Sequence, residues 1–140
     1  MRSLPAFVFA AVAVLAACEP AQPQPDATAK AYAEAWQRSD YRAMWELLTD
    51  ESKARVGTEG FVDRLPRIAQ EMTLHSLDVK VGPSSRPLTN GSPDPARASV
   101  PLDVLYRTDR VGEIKRTTTL ALVYLGEKDK GVWRIAWTPE

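Results

Sequence analysis

The sequence holds one cysteine, Cys18, and one histidine, His75, among its 140 residues. A disulfide within the chain needs two cysteines, so none can form, and this pair alone offers no plausible ligand set for zinc. The sequence also lacks an excess of charge, because Lys plus Arg and Asp plus Glu both number 18 and are interspersed. This balance excludes the basic patch that is typical of nucleic-acid binding, and we expect neither a nucleic-acid partner nor a cofactor.

The sequence has no apolar run long enough to form an ordinary membrane-spanning helix. The uncharged run Leu4–Ala17 has about 14 residues, where a bilayer span needs about 20. It follows Arg2 and ends in Leu15-Ala16-Ala17-Cys18. This arrangement resembles a bacterial lipoprotein signal with its lipobox, which implies cleavage between Ala17 and Cys18 and lipidation, with palmitate among the acyl groups, of Cys18. A plain signal peptide and a short membrane anchor are the alternatives.

These features divide the chain into three parts. Residues 1–17 are the predicted signal peptide, and residues 18–25 are a predicted tether, too rich in proline to pack and therefore extended. Residues 26–140 suit one globular domain, because the chain is 44% hydrophobic and 26% charged. A lipid on Cys18 would hold this domain on the extracytoplasmic side of a bacterial membrane.

The first half of the domain has the periodicity of amphipathic helices. Apolar residues recur at helical spacing in three sets: Ala29, Tyr32, Ala33 and Trp36; Tyr41, Met44, Trp45 and Leu48; and Phe61, Leu65, Ile68 and Met72. We expect Asp26 and Asp40 to cap the first two helices. Thr49 is expected to cap a short turn, and Gly57–Gly60 to separate that turn from the third helix.

The second half of the domain alternates in the manner of strands. Strands are predicted at Leu74–Val81 and at about Ala96–Thr108, separated by an exposed loop at Pro83–Pro95, and two more lie between Glu113 and Pro139. The last two strands are expected to pair Tyr124 with Trp133, Leu122 with Ile135, and Leu120 with Trp137. A three-residue loop, Arg110 to Gly112, keeps the even-numbered core residues of the middle strands on one face. The prediction is an α+β fold, with three helices on a curved antiparallel sheet of about four strands.

Two sets of side chains are candidates for binding. Seven aromatic residues form the pocket or fill the core: Tyr32, Trp36, Trp45, Tyr106, Tyr124, Trp133 and Trp137. The opposite face of the sheet is also partly apolar, and Leu105, Val123 and Leu125 are its candidate interface residues. Catalytic residues are not expected, because His75 and Asp78 lie on opposite strand faces and Asp103 points away from the helices.

Several motifs together resemble a known family. These are Ala35-Trp36, Ser39-Asp40-Tyr41, Leu48-Thr49-Asp50 and, at the end of the chain, Trp-x-x-x-Trp-Thr-Pro over residues 133–139. They resemble the N-terminal domain of penicillin-binding proteins, a nuclear transport factor 2-like cone best known from the methicillin-resistance transpeptidase. The resemblance spans nearly all of residues 26–140.

The resemblance implies a scaffold without transpeptidase chemistry, because the sequence has no Ser-x-x-Lys, Ser-x-Asn or Lys-Thr-Gly motif. It implies a non-catalytic, lipid-anchored envelope module that acts as a spacer or docking domain in peptidoglycan synthesis and in the response to β-lactam antibiotics. Its expected partners are the membrane and either a second copy or a penicillin-binding protein. The alternative is a lipoprotein that binds a small ligand in its aromatic pocket.

Overall fold

In the computed structural model, which describes residues 21–139, helices come first and strands second, so the predicted α+β order is confirmed. The helices are α1 (Asp26–Gln37), α2 (Tyr41–Glu46), α3 (Asp50–Thr58) and α4 (Arg64–Glu71), with a π-helical turn at Glu59–Asp63. The strands are β1 (Leu74–Val81), β2 (Leu88–Thr89), β3 (Ser92–Pro93), β4 (Arg97–Thr108), β5 (Gly112–Leu125) and β6 (Val132–Ile135).

The third helical unit is longer than its periodicity indicated. α3, the π-helical turn and α4 follow one another without a loop, so the expected short turn and third helix are one kinked segment. The kink lies at Gly57, whose φ of 66° is a left-handed conformation that favours glycine. Pro66 lies in the first turn of α4, three residues after the end of the π-helical turn.

Two of the three predicted helix caps are confirmed. The Asp40 carboxylate accepts a hydrogen bond from the Ala43 N–H at 3.0 Å, and the Thr49 hydroxyl accepts one from the Ser52 N–H at 3.1 Å. The prediction for Asp26 is wrong, because α1 already includes this residue and Pro25 occupies the cap position. The Asp26 carboxylate instead accepts a hydrogen bond from the Ser84 hydroxyl.

Across residues 21–139 the main sheet has four antiparallel strands in the order β1-β4-β5-β6. The β4–β5 ladder pairs even-numbered residues with even-numbered residues, for example Leu102 with Thr118, as predicted. The connecting loop has three residues, but it comprises Asp109–Val111, one position earlier than expected. Gly112, at φ 79°, already pairs with Thr108.

The β5–β6 register is confirmed for two of its three predicted pairs, Tyr124 with Trp133 and Leu122 with Ile135. The third pair does not form, because β6 ends at Ile135. There the backbone of Ile135 bonds to the segment after α2, donating to Leu47 and accepting from Thr49 at 2.9 Å each. Trp137 therefore leaves the sheet toward the helices.

The predicted loop at Pro83–Pro95 contains a small hairpin. β2 and β3 pair through Leu88 with Pro93 and Thr89 with Ser92. Asn90 and Gly91 form the turn with φ values of 54° and 80°, which is the two-residue turn that an Asn-Gly pair favours. The segment is exposed, as expected, but it is not structureless.

The described part of the predicted tether packs against the domain. Pro25 is fully buried, the Trp133 indole N–H donates to the Pro23 carbonyl at 2.6 Å, and the Gln22 amide donates to the Pro95 carbonyl at 2.8 Å. The guanidinium of Arg86 covers the Trp133 ring, 5.0 Å from its centroid. The folded unit therefore includes Gln22–Pro25.

The core lies between the inner face of the sheet and the helices. Its fully buried large side chains come from both layers: Phe61, Met44, Leu48, Leu102, Leu122, Ile135 and Val100. Within residues 21–139, no helix is long and apolar enough to cross a membrane.

We predict that a chain beginning at Asp26 is less stable than one beginning at Ala21 by about 2 to 4 kcal/mol. The shorter chain loses the buried Pro25 ring and leaves the Trp133 indole without its carbonyl acceptor. Urea unfolding of both chains measures the difference. Pro23→Ala is the control, because it keeps the accepting carbonyl. Equal midpoints for the two chains would show that the segment adds nothing to the fold.

Candidate functional site

A cleft of about 380 Å³ lies between α1, α4 and the inner face of β4 and β5, and we refer to it as the cone cleft. Four aromatic side chains line it, namely Tyr32, Trp36, Tyr106 and Trp137. Tyr32 and Trp36 come from one face of α1 because they are four residues apart. The volume lies in the range of small-ligand sites, so the cone cleft is the candidate functional site.

The rings of the cone cleft hold one another in place by edge-to-face packing. Trp36 lies between Tyr32, at a centroid distance of 6.1 Å, and Tyr106, at 6.2 Å, with interplanar angles of 67° and 72°. Such geometry is favourable for aromatic pairs beyond their buried area. The wall that Trp36 and Tyr106 form is therefore a preformed surface of helix and strand.

The other three aromatic candidates belong to the core. Trp45 is 8% exposed and packs on Phe61 at 5.8 Å, and Tyr124 and Trp133 pack on each other at 5.2 Å near the opposite end of the sheet. Phe61 also contacts Trp137 edge-to-face at 5.2 Å, so its ring separates Trp45 from the cone cleft. The helical pattern identified Phe61 as apolar but did not indicate that it divides the aromatic residues into two groups.

The electrostatics of the cone cleft depend on Arg116 and Tyr32. Among the described residues that line it, Arg116 is the one charged side chain. Burial raises the pKa of Tyr32 far above its ordinary value, and the nearby Tyr106 adds to this increase. The Tyr32 hydroxyl therefore stays protonated at physiological pH. The cleft offers hydrogen-bond donors and a positive charge.

Arg116 was not among the residues singled out from the sequence, although a signal for it exists. It is even-numbered, and the even-numbered residues of this strand are the ones predicted to face the core. In the structure it pairs with the buried Val104. Strict alternation along β5 therefore predicts that Arg116 faces the inner side of the sheet. Because arginine is not apolar, however, its position in the stripe looks like a break in the apolar pattern.

The residues considered for catalysis lie outside the cone cleft. His75 is exposed and its Nδ1 is 3.0 Å from the Asp109 carboxylate. The Asp78 carboxylate accepts a hydrogen bond from Arg107 at 2.6 Å, and Asp103 accepts one from the Thr117 hydroxyl at 2.7 Å. Hydrogen bonds to Asp78 and Glu113 raise the pKa of Arg107. Within residues 21–139 no group of His, Cys, Asp and Glu side chains could hold a metal ion.

The structure separates the three interface candidates. Leu125 is 48% exposed and stands opposite Val132, which is 46% exposed, and Val123 is half-buried two residues away. Leu105 pairs with Lys115, eight positions along β5 from Val123, which is about 26 Å. Its neighbours on that face are charged. Leu125, Val123 and Val132 therefore form one apolar patch that excludes Leu105.

The predicted signal peptide, its cleavage position at Ala17 and the predicted lipidation residue Cys18 lie outside the described residues. Their assignment stays a prediction from the sequence.

Three helical units packed on a strongly curled four-stranded antiparallel sheet define a nuclear transport factor 2-like cone within the described chain. Residues 24–140 match the family model described as "NTF2-like N-terminal transpeptidase domain". The chain therefore belongs to this family, as the sequence motifs indicated. A comparison with curated proteins finds no match.

We predict that Phe61→Ala lowers the free energy of unfolding by about 3 to 5 kcal/mol and connects the cone cleft with the space beside Trp45. Phe61 is fully buried between Trp45 and Trp137, so truncation leaves a cavity. Urea unfolding measures the loss. Phe61→Leu is the matched control and should cost less, since it keeps most of the buried volume. Equal costs for both variants would contradict the dividing role of the ring.

Proposed function

We propose that the chain is a non-catalytic, lipid-anchored module of the bacterial cell envelope that serves cell-wall transpeptidases as a spacer or docking domain. The match of residues 24–140 to an N-terminal transpeptidase domain carries this proposal. The cone cleft supports the non-catalytic assignment, because the guanidinium of Arg116 has no acceptor atom and the raised pKa of Tyr32 leaves its hydroxyl neutral. Neither group is a general base near neutral pH. We extend the proposal to a role in the response to β-lactam antibiotics, on the basis of the resemblance to penicillin-binding proteins.

The position of the N-terminal segment supports an anchored domain with a defined orientation. Gln22 is bound at Pro95, next to the end of the sheet where Tyr124 and Trp133 lie, which we call the Tyr124 end. Cys18 precedes Gln22 by four residues, and a fully extended chain of that length spans about 14 Å. A lipid on Cys18 would hold the Tyr124 end close to the membrane and direct the Asp109–Val111 turn away from it.

We predict that a fluorophore at Glu127, in the loop at the Tyr124 end, is quenched by nitroxide lipids more strongly than one at Arg110. β5, which separates the two positions, spans 14 residues, or about 45 Å. Each label is attached to a single introduced cysteine in the membrane-bound protein, where the lipidated Cys18 does not react.

Cys18→Ala is the control for the anchor itself. It should abolish both incorporation of a labelled lipid precursor and recovery in the membrane fraction. Unchanged membrane recovery of this variant would refute the lipid anchor. Equal quenching at Glu127 and Arg110, with the anchor intact, would refute only the orientation.

The apolar patch of Leu125, Val132 and Val123 supports a docking role. Two half-exposed apolar side chains directly opposite each other cover too little area for a tight complex. Confinement to a membrane raises the effective concentration of a neighbouring anchored protein, so a weak contact is sufficient. The proposed partner is a second copy of the chain or a cell-wall transpeptidase.

We predict that Leu125→Lys combined with Val132→Glu abolishes association while the fold stays stable. Both side chains point away from the helices, and opposite charges at paired positions are tolerated in a sheet. Crosslinking in cells and sedimentation of the membrane-extracted protein measure association. Val111→Lys is the matched control, since Val111 is 71% exposed in the distant turn. Crosslinks that persist in the double variant, or that are absent in the unmodified protein, would contradict docking through this patch.

The cone cleft favours a second candidate function, the binding of a small ligand. Its volume of about 380 Å³ and its wall of Trp36 and Tyr106 are features of ligand sites rather than of a filled core. The two functions are compatible, because the apolar patch lies on the outer face of the sheet and the cone cleft on the inner face.

A further inference from the structure

The hairpin of β2 and β3 carries an exposed apolar side chain on an uncharged segment. Leu88 is 71% exposed, and within residues 21–139 only Val111 among the large apolar residues is as exposed. The residues from Pro87 to Pro93 include no charged side chain. Transfer of the hairpin from water to an apolar surface therefore buries a leucine without desolvating a charge.

The hairpin is ordered by its own hydrogen bonds. At its base the Asp94 N–H donates to the Pro87 carbonyl at 2.8 Å. The Asp94 carboxylate accepts one bond from the Thr89 hydroxyl at 3.2 Å and one from the Ala96 N–H at 2.9 Å. Because both carboxylate oxygens are bonded within the segment, Leu88 is presented by a preformed structure, and its burial needs little additional ordering.

The base of the hairpin lies beside the N-terminal segment. The Pro95 carbonyl accepts a hydrogen bond from the Gln22 amide at 2.8 Å. Pro93, which pairs with Leu88, is two residues or about 7 Å along the chain from Pro95. Cys18 precedes Gln22 by four residues, which span at most about 14 Å. A lipid on Cys18 would therefore keep Leu88 within reach of the bilayer surface.

A cation follows the hairpin where β4 begins. Arg97 is exposed, and its guanidinium takes part in none of the ion pairs formed among residues 21–139. Arg86, at the other side of the hairpin, is instead held by the Pro95 carbonyl and the Trp133 ring. A free guanidinium beside an exposed apolar side chain suits a membrane surface, because the guanidinium binds lipid phosphate while the apolar group enters the acyl boundary.

We propose that the β2–β3 hairpin is a membrane-contact element, in which Leu88 enters the bilayer interface and Arg97 lies against the phosphate groups of anionic lipids. This inference rests on the lipid-anchored role proposed above and names the element that meets the membrane. One leucine on a narrow hairpin covers too little area for a specific protein interface, whereas a bilayer accepts a single side chain without shape complementarity. The contact is weak by itself, and the anchor makes it sufficient. It leaves Leu125 and Val132 available for docking.

The test uses the lipidated full chain in vesicles, with a fluorophore on a cysteine introduced either at Ser92 in the hairpin or at Glu127 in the loop at the Tyr124 end. The lipidated Cys18 does not react with the fluorophore. Lipids that carry a nitroxide on the acyl chain quench probes that reach the apolar boundary. We expect the Ser92 label to be quenched at least about twofold more strongly than the Glu127 label, because the loop Glu127–Lys130 consists of charged residues and stays in water.

Substitutions at two equally exposed positions assign the quenching to Leu88. Leu88→Ser should lower the quenching of the Ser92 label to the level of the Glu127 label. Val111→Ser is the matched control, because Val111 is also 71% exposed but lies in the turn at the opposite end of β5, and it should leave the quenching unchanged. Urea unfolding checks that both variants keep the midpoint of the unmodified chain.

The role of Arg97 is tested through the lipid composition. Quenching of the Ser92 label should be stronger in vesicles of equal parts phosphatidylcholine and phosphatidylglycerol than in phosphatidylcholine alone, and the difference should fall at high salt. Arg97→Gln should remove this difference. Arg110→Gln is the matched control, since it removes the same charge from an exposed residue of the distant turn, and it should retain the difference.

The outcomes separate this inference from the anchored role on which it rests. Equal quenching at Ser92 and Glu127 in vesicles that retain the protein overturns the hairpin contact and leaves the anchor in place. Quenching at Ser92 that survives Leu88→Ser overturns the role of Leu88, and a lipid preference that survives Arg97→Gln overturns the role of Arg97. A chain that carries no lipid on Cys18 and is not retained by the vesicles overturns both the anchored role and the inference.

Discussion

The pairing of β4 with β5 decides which side chains face the helices, and the rest of the structure depends on this register. The three-residue turn Asp109–Val111 and the left-handed Gly112 place even-numbered residues of both strands on the inner face. A slip of one residue on β5 would turn Leu120 and Leu122 to the outer face and Lys115 and Thr117 to the inner face. The composition of the core and that of the cone cleft therefore both depend on the register that this one turn sets.

The helical layer covers the inner face unevenly, and this unevenness produces the cone cleft. The kink at Gly57 and the π-helical turn place Phe61 between Trp45 and Trp137, where it fills the space between sheet and helices. On the other side of Trp137 the cone cleft lies open between the helices and the sheet, bordered by Tyr32, Trp36 and Tyr106. A filled region and an open cleft thus lie side by side in one domain.

The N-terminal segment connects the fold to the proposed anchored role. Hydrogen bonds from Trp133 and Gln22, together with the buried ring of Pro25, make this segment part of the domain. If the proposed lipid anchor is present, the domain would differ from one that moves freely on a long linker, because a short connection would restrict its orientation as well as its distance from the membrane. The apolar patch of Leu125, Val132 and Val123 lies near the same end of the sheet, so an anchored neighbour would meet it close to the membrane surface.

Local sequence patterns determined much of the fold. Alternation specified the strands and the Tyr124–Trp133 register, polar residues at Asp40 and Thr49 specified helix starts, and the closing Trp-x-x-x-Trp-Thr-Pro motif indicated the family. These features depend on residues that are close together in the chain, so the periodicity of the sequence predicts them directly.

Tertiary structure alone decided which aromatic residues line the cone cleft and which fill the core. Trp45 belongs to a helical apolar stripe and Trp137 to an alternating apolar pattern, and both patterns predict inward-facing side chains. Only Trp137 borders the cleft, because Phe61 lies between the two rings. Likewise, the proline-rich composition of Gln22–Pro25 predicted an extended tether, whereas the indole of Trp133, more than a hundred residues away, provides a hydrogen-bond donor for it. Contacts of this kind depend on the distance between layers, which no local period of the sequence encodes.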